Sequence, residues 1–485
     1  MKPQSQTVET KAPARYALVF GLFLGLCIWK FGNPVVLDQK IVPPRSWQEY
    51  WADAWPAHWA NWIWPFLAAW AGWLGLKNKA AKLPSKWLWL LPLGWLGWQF
   101  AAAMHTVGPE LTTATLWQFS GCVACYFIGA RLFGAAAESS QTVSRVKSPA
   151  GGVIGGMPSA RLLLLAGVLM AFTYCLIRAV DQHVFEYPVN YQVLVEGEHN
   201  GWTNFPPATV ADMKAEGAII TTNGLEVANP LILSKFQKGR ASGTLVYPNA
   251  LAEIILLLWP AALALAFGAT QKLRALVRWA AISLTILLGG AAFFWSGSKL
   301  GWLIAIGLAG LITLRRDWPR KLKLTAVAAV VVIGLGVFAV RFHHYFAAGA
   351  TSASARFDYW RAAAQITAAH PLVGSGPGTF GVPYAQIKSP QSEMARLTHN
   401  DFLEQFCDSG VPGGLLYSAW IILALVVVGK KLWRSDDRLA AAIFLGLLGW
   451  FAQGLGEFGL YVPALAWTAF TLLGGLVGQA GKTKN

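Results

Sequence analysis

Runs of apolar residues, separated by polar loops, extend along the whole chain. They lie at about 16–31, 59–76, 87–105, 112–134, 162–178, 249–268, 279–296, 300–314, 324–341, 412–429, 439–456 and 462–479. Each run approaches the roughly 20 residues that one helical bilayer crossing requires. The pattern predicts an all-α polytopic membrane protein with about 12 transmembrane helices. The first is expected to remain uncleaved, because no small residues suited to signal cleavage follow it.

The composition excludes a water-soluble enzyme. Of the 485 residues, 55% are hydrophobic and 13% are charged, which leaves too little polar surface to enclose a soluble globule. The formal net charge is +16, but the basic residues lie in loops between apolar runs. We therefore expect a membrane and no nucleic acid as partner. Cys122 and Cys125 have a metal-like spacing without a second pair or a nearby His, so no metal site is expected.

Charged residues also predict the orientation of the chain. With a cytoplasmic N-terminus, 25 of the 39 Lys and Arg residues lie inside and 18 of the 23 acidic residues lie outside. This bias follows the positive-inside rule and makes both termini cytoplasmic. The predicted parts are 1–178 with helices 1–5, a first outer segment 179–248, 249–341 with helices 6–9, a second outer segment 342–411, and 412–485 with helices 10–12.

The second outer segment contains a candidate anion site. Ser354 is suited to cap a helix whose first turn includes Arg356 and Asp358. A guanidinium group beside the free N–H groups of a helix N-terminus favours binding of a phosphate or pyrophosphate. The alternative is that Arg356 only snorkels to the membrane surface or pairs with Asp358.

A glycine-rich loop follows, and then a second short helix is predicted. Gly374, Gly376 and Gly378 allow the backbone to turn tightly and to approach another group closely. Further on, a capping pair at Thr398 and Asp401 would start a helix and project His399 from its first turn.

His399 is the candidate base of this segment. A neutral imidazole near the membrane surface can accept a proton from an attacking hydroxyl. The alternative is a structural histidine bonded to loop backbone. The run Ser409–Gly414 is expected to break the helix before the tenth span.

Two more cations lie near predicted helix ends. Lys299 belongs to a tight outer turn between the seventh and eighth spans, with almost no other charge near it in the sequence, and Arg240 precedes the sixth span. Ionisable groups at membrane depth are costly and tend to be functional.

Together, these motifs resemble the outer loop of the O-antigen ligase and polymerase family. The similar runs, in order, are Arg356-Phe357-Asp358-Tyr359-Trp360, His370-Pro371-Leu372-Val373-Gly374-Ser375-Gly376-Pro377-Gly378-Thr379-Phe380 and His399-Asn400-Asp401-Phe402-Leu403. The upstream run Gly239–Thr244 with Tyr247–Ala252 is also similar to the family. The resemblance covers roughly 238–420, whereas the first five spans match only in hydropathy.

The resemblance implies a membrane glycosyltransferase of the C type in the bacterial inner membrane, with a periplasmic active site. Such an enzyme takes a glycan from a polyprenyl pyrophosphate carrier and transfers it to lipid A core, a growing glycan or a protein hydroxyl, with no metal or cofactor. Arg356 would hold the pyrophosphate and His399 would activate or orient the acceptor. The predicted substrate-binding residues are Lys299, Arg240, Arg361, Asn400, Gly376 and Gly378.

One position departs from the family pattern, and one other class of function remains open. The family usually has Ser-Arg where this chain has Ser298-Lys299, so the bidentate fork of arginine is missing there. A ligase, a polymerase and, from another class, a transporter or flippase remain alternatives. Transport is disfavoured because the charged and glycine-rich motifs are concentrated in one outer segment rather than in two matching halves.

Overall fold

The computed structural model describes residues 11–77, 83–145, 159–347, 349–433 and 435–481. Eighteen α-helices form within these ranges: α1 Lys11–Lys30, α2 Trp47–Ala52, α3 Trp64–Lys77, α4 Trp87–Ala103, α5 Pro109–Arg145, α6 Ala160–Asp181, α7 Tyr187–His199, α8 Pro207–Ala215, α9 Pro230–Lys238, α10 Pro248–Ala269, α11 Ala275–Ser296, α12 Lys299–Leu314, α13 Arg320–Ala347, α14 Thr351–Ala369, α15 Gly381–Ile387, α16 Asp401–Leu432, α17 Arg438–Gln453 and α18 Pro463–Ala480. Residues 78–82 and 146–158, which belong to the predicted cytoplasmic loops after the second and fourth apolar runs, lie outside the described residues.

Each predicted apolar run falls on a helix, and the protein is a largely helical, multi-pass membrane protein. Among the described residues, six helical stretches are long and apolar enough to cross a membrane: Ala12–Lys30, Ala160–His199, Pro248–Ala269, Ala275–Ser296, Arg320–Ala347 and Asp401–Leu432. Helices α12 and α17 are apolar but shorter. Twelve crossings therefore stay a prediction.

One small element departs from the all-α expectation. Strands β1 (Ile219–Thr222) and β2 (Leu225–Ala228) form an antiparallel hairpin within the segment that follows α7. Trp202 packs beneath it with Leu194 and Ile219 in a separate small core. The sequence expectation assigned no strand to this segment, because β-branched pairs this short do not stand out from loop residues.

Helix α18 lies at the centre of the bundle, with every residue from Pro463 to Gly478 buried. It packs closely on α5, where a Cβ at Gly474 would lie 1.8 Å from the carbonyl oxygen of Tyr126. Helices α1 and α6 meet in the same way at Gly21 and Gly167. Small residues permit such backbone approach, which is the usual basis of helix packing in membranes.

Several helix ends converge at one end of the bundle. The N–H of Val107, just before α5, donates to Ser375 O at 2.9 Å, and the N–H of Asp401 donates to Gly454 O at 2.7 Å. At the start of α18, the N–H of Ala464 donates to Phe31 O at 3.3 Å. This end therefore carries the loops before α5, α16 and α18 together.

Candidate active site

Glu457 is the centre of the candidate active site. It lies in the short loop between α17 and α18, and its side chain is only 1% exposed. Its Oε1 atom accepts hydrogen bonds from Arg356 Nη2 at 2.5 Å and Asn249 Nδ2 at 2.7 Å. Its Oε2 atom lies 3.3 Å from Nδ1 of His399. A buried carboxylate needs such partners, since an unpaired charge in this environment would be costly.

Arg356 reaches this carboxylate from α14. Its Nε atom donates to Gly456 O and its Nη1 atom to Ser352 O, each at 3.0 Å. A guanidinium has five N–H donors, so two remain available once these bonds and that to Glu457 are counted within the described chain. The ion pair is with Glu457, not with Asp358 as the alternative interpretation proposed.

The predicted start of this helix is wrong. Helix α14 begins at Thr351 after Ala350, which has left-handed backbone angles, and Ser354 lies inside the helix, where its hydroxyl donates to Thr351 O. Arg356 is therefore in the second turn, away from the free N–H groups of the helix N-terminus. Its fixed geometry comes from Glu457 and from two backbone carbonyls instead.

His399 lies just before α16 rather than in its first turn. Asn400 is the N-cap and accepts hydrogen bonds from the N–H groups of Phe402 and Leu403, both at 3.0 Å. Thr398 binds Asn400 through its hydroxyl and does not cap the helix. The predicted capping pair is thus wrong by two residues, and His399 has a φ of 54°. A non-glycine residue in this left-handed region is uncommon and occurs often at functional sites.

Aromatic rings and the Glu457 carboxylate fix the imidazole of His399. The ring lies 5.8 Å from the Tyr359 ring in a stacked arrangement and 4.7 Å from the Phe458 ring edge-on, measured between centroids. The His399 side chain is 29% exposed. When Nδ1 donates to the carboxylate, Nε2 is left as an acceptor, which is the arrangement that a general base requires.

Arg240 is joined to the same carboxylate through Asn249. Its Nη2 atom donates to Asn249 Oδ1 and its Nε atom to Ser296 O, each at 2.8 Å. Burial lowers the pKa of Arg240; the negative charge of Glu457 opposes this effect and the positive charge of Arg356 adds to it. These two hydrogen bonds place Arg240 beside the site, behind Asn249.

Lys299 occupies the turn that the sequence predicted. Helix α11 ends at Ser296, Gly297 has left-handed backbone angles, and Ser298 caps α12 through the N–H of Gly301. The Lys299 ammonium lies over the Tyr345 ring, 4.0 Å from its centroid. Few charged residues lie near Lys299 in the sequence, but in the fold the positive charges of Arg240 and Arg356 are close enough to act on its ammonium group.

The glycine-rich loop is buried rather than open. A Cβ at Gly376 would lie 2.2 Å from Thr106 Oγ1, and a Cβ at Gly378 would lie 2.1 Å from Thr115 Oγ1. The N–H of Gly378 donates to Asp408 Oδ2 at 2.6 Å. The glycines thus pack the loop against α5 and its preceding turn, and binding of substrate by Gly376 and Gly378 stays a prediction.

The other two predicted binding residues have different surroundings. Asn400 is nearly buried and its side-chain oxygen caps α16, so it holds the backbone that follows His399. Arg361 is exposed on α14 and, within the ranges that the structure describes, has no hydrogen bond or ion pair. A binding role for Arg361 stays a prediction as well.

A buried cluster of acidic residues supports the loops of the candidate active site. Glu404, Cys407 and Asp408 have potential ligand atoms within 4.8 Å of one another. However, Asp408 Oδ2 already accepts hydrogen bonds from Gly378 N–H and Tyr461 hydroxyl, and Glu404 Oε2 accepts one from Thr398 N–H. These bonds attach the loops before α15 and α16 to the first turns of α16, which is a structural role.

Sequence reasoning missed Glu457 and Asn249. Glu457 lies between the predicted spans 439–456 and 462–479, as an isolated carboxylate in a very short loop. An ionisable residue so close to membrane depth is itself a signal of function. Asn249 lies in the family-like run Tyr247–Ala252, but its role could not be assigned, because that role depends on a contact 208 residues away in sequence.

The charges of the site favour an anionic ligand. Arg356, Arg240 and Lys299 are three cations beside the Glu457 carboxylate, whereas the other two carboxyl groups near Glu457, those of Asp401 and Glu253, are at most 2% exposed and so are turned away from a ligand. Two unused guanidinium donors of Arg356 and an orientated imidazole are available to a substrate. This combination can bind a phosphate-containing group and accept a proton nearby.

Comparison with known protein families supports the resemblance. Residues 284–418 match the family model described as O-Antigen ligase, which confirms the family resemblance of the motifs at Arg356–Trp360, His370–Phe380 and His399–Leu403. The matched part of the chain includes Lys299, Arg356 and His399 and is similar to ligase- and polymerase-type membrane glycosyltransferases. A comparison with curated proteins gives no match.

Proposed function

We propose that the protein transfers a glycan from a polyprenyl pyrophosphate carrier to an acceptor hydroxyl at the periplasmic face of the inner membrane, as an O-antigen ligase does. The observation that carries this proposal is the shared carboxylate of Glu457, which contacts both Arg356 and His399. A diphosphate-binding cation and a base for the acceptor are thereby held in one site.

In this proposal, His399 is the general base. Glu457 holds the Nδ1 proton of the imidazole, so Nε2 accepts the proton of the acceptor hydroxyl as that oxygen attacks the anomeric carbon. A positioned base typically contributes 10² to 10⁴ in rate. Glu457 acts through His399 and is a positioning residue.

Arg356 would bind the departing pyrophosphate. The bond between the anomeric carbon and the phosphate oxygen breaks, its electron pair stays on that oxygen, and the polyprenyl pyrophosphate leaves as an anion. Two guanidinium N–H groups aimed at this charge stabilise it, and loss of such a donor costs about 10² to 10³ in rate. Lys299 and Arg240 contribute further positive charge.

The single displacement inverts the anomeric centre. A two-step retaining route would need a carboxylate that is free to attack the sugar. Glu457 already accepts hydrogen bonds from Arg356 and Asn249 and contacts His399, so we assign it orientation rather than nucleophilic attack. The route through these residues needs no metal or cofactor.

The test is transfer by the purified protein in lipid vesicles with the lipid-linked donor of its host and lipid A core as acceptor. We expect His399→Ala and Arg356→Ala each to abolish transfer while inserting normally. His199→Ala, at the exposed last residue of α7, and Arg438→Ala, at the opposite end of α17 from Glu457, are matched controls that should transfer like the parent. Near-parental transfer by both site variants would reject the proposal.

A further inference from the structure

A cavity lies at the same end of the bundle, apart from Glu457. It has a volume of about 510 Å³, within the range of small-molecule sites. Its walls come from the helical turns at Val35–Lys40 and Ala57–Trp62 and from the first three turns of α5. None of the residues used in the proposed mechanism lines it.

The chemistry of this cavity is that of a site for a neutral, hydroxyl-rich ligand. The lining includes the planar polar side chains of Gln39, Asn61 and Glu110 and the indole rings of Trp62 and Trp117. Planar amides and carboxylates can exchange paired hydrogen bonds with vicinal hydroxyls, and indole faces cover the apolar C–H face of a sugar ring. An apolar lipid tail would leave these polar groups unpaired.

The polar groups are held in place but keep capacity for a ligand. Gln39 Nε2 donates to Glu110 Oε2 at 2.7 Å, which leaves Glu110 Oε1 and Gln39 Oε1 without partners within the described chain. Asp38 fixes the opposite wall by accepting hydrogen bonds from the N–H groups of Ala57 and His58. Trp117 is held edge-on by Trp64, with ring centroids 6.0 Å apart.

Charge excludes an anion as the occupant. The described residues lining the cavity include the carboxylates of Asp38 and Glu110 and contain neither Lys nor Arg. Their one imidazole, His58, is taken up by Asp38, whose Oδ2 lies 2.7 Å from its Nδ1, so the Glu110 carboxylate has no cationic partner among them. This is the reverse of the cation-rich surroundings of Arg356. A pyrophosphate or an anionic lipid headgroup therefore belongs at the Arg356 site and not here.

The cavity adjoins the loop beneath the candidate active site. Thr112, in the first turn of α5, donates its hydroxyl proton to Pro377 O at 3.0 Å. A Cβ at Gly378 would lie 3.3 Å from Val36, so the same loop also contacts the first wall. A glycan that occupies the cavity is thus separated from the catalytic segment by one buried loop.

We infer that this cavity binds a neutral glycan segment through Trp62, Asn61 and Glu110, away from the bond that is made. Its assignment to the donor or acceptor glycan rests on the proposed function. The site would bind sugars of the glycan that are remote from the sugar that reacts. The enzyme can use this binding energy to position the reacting sugar.

The experiment is ligand-observed NMR with the full chain in nanodiscs, using the delipidated glycan released by mild acid from the lipid-linked pool of the host. Trp62→Ala should weaken binding about tenfold or more, as loss of a central tryptophan anchor typically does. Trp47→Ala is the matched control, since Trp47 is 75% exposed, Trp62 is 74% exposed, and Trp47 does not line the cavity. Asn61→Ala should also weaken binding, and inorganic pyrophosphate should not compete.

Absence of saturable glycan binding by the parent would overturn the inference. Parental glycan affinity of Trp62→Ala would also overturn it. If Trp62→Ala and Trp47→Ala are then equally impaired in membrane insertion, Trp62 is a membrane anchor. His399→Ala separates the two claims: it should bind the glycan normally and lose transfer. Transfer that survives in His399→Ala would reject the proposed function and leave the binding result standing.

Discussion

Nδ1 of His399 lies 3.3 Å from Oε2 of Glu457, while the other oxygen of the same carboxylate accepts a hydrogen bond from Arg356. The two residues that sequence analysis assigned to the chemistry are thus joined through a third that it did not name. The carboxylate fixes the orientation of both side chains and fits the assignment of Nε2 as the proton acceptor.

Replacing Glu457 by Gln should separate orientation from charge. An amide keeps a side chain of the same size but cannot orientate His399 in the same way, because it no longer offers two charged acceptor oxygens. We expect kcat for transfer to fall roughly 10- to 100-fold, with a smaller change in KM for the donor.

Steady-state kinetics over a range of pH would check this expectation. Glu457→Asp, which restores the charge at a shorter reach, should recover part of the loss. A merely structural role would instead reduce the amount of inserted protein and leave the kinetic constants and pH profile of the surviving fraction unchanged.

The charge of Lys299 should matter more than its exact shape. Lys299→Arg should be tolerated, because arginine restores the residue usual in the family and can add a bidentate fork. Lys299→Ala should raise KM for the lipid-linked donor or lower kcat, since the positive charge next to Arg240 and Arg356 is lost. Parental kinetics of the alanine variant would make Lys299 a residue that only packs on Tyr345.

We expect the folded protein to need glycine at position 376 for its stability. It has a φ of 109°, and an added Cβ would lie 2.2 Å from Thr106 Oγ1. Gly376→Ala should therefore destabilise the protein by at least about 1 to 3 kcal/mol. Thermal unfolding in detergent, followed by the reaction of the five buried cysteines with a thiol-reactive dye as they become exposed, would measure the loss.

Gly97→Ala is the matched control for this substitution. Gly97 lies inside α4 with nothing within 4 Å of an added Cβ. Alanine there should be neutral or stabilising by up to about 1 kcal/mol, because it favours the helix. Equal midpoints for the two variants would contradict the packed position of the loop.

Labelling can test the predicted orientation. The five native cysteines are all buried, so the background of an impermeant maleimide should be low. In intact inner-membrane vesicles whose periplasmic side faces outward, Arg361→Cys, exposed on α14, should react with maleimide added outside. Arg438→Cys, at the far end of α17, should react only after permeabilisation. The opposite pattern would reverse the orientation and reject a periplasmic site.

Deletion in the native host should identify the acceptor class. Loss of the lipopolysaccharide ladder with accumulation of lipid-linked glycan would support a ligase. Loss of long chains alone would instead indicate a polymerase, the alternative within the same family. Comparison of lipopolysaccharide gels with extracted lipid-linked glycan measures both outcomes.

Sequence patterns predicted helix positions well because apolar runs of bilayer length leave few other structures available. They also identified Arg356 and His399, because a cation and an imidazole stand out among the other residues of their motifs. They failed at helix starts: Ser354 and Thr398 are both good caps by type, but Ala350 and Asn400 occupy the ends of α14 and α16. At these two helix starts, tertiary contacts override the local preference of Ser and Thr for the N-cap position.

Long-range contacts account for most of what remained hidden. Glu457 meets Arg356 across 101 positions and Asn249 across 208, so no spacing in the sequence predicts the cluster. The glycine loop illustrates the reverse case. Its glycines predicted a backbone that approaches another group closely, and in the fold that group is Thr106 beside Gly376 and Thr115 beside Gly378. Only the packed fold defines these neighbours.

The most direct test of the central claim separates donor binding from chemistry in the two site variants. Binding of polyprenyl pyrophosphate and single-turnover glycan transfer would be measured on the same vesicle preparations. The account predicts that His399→Ala binds the donor like the parent but transfers roughly 10² to 10⁴ times more slowly, whereas Arg356→Ala loses both. Parental single-turnover rates in His399→Ala, or unchanged donor binding in Arg356→Ala, would contradict it.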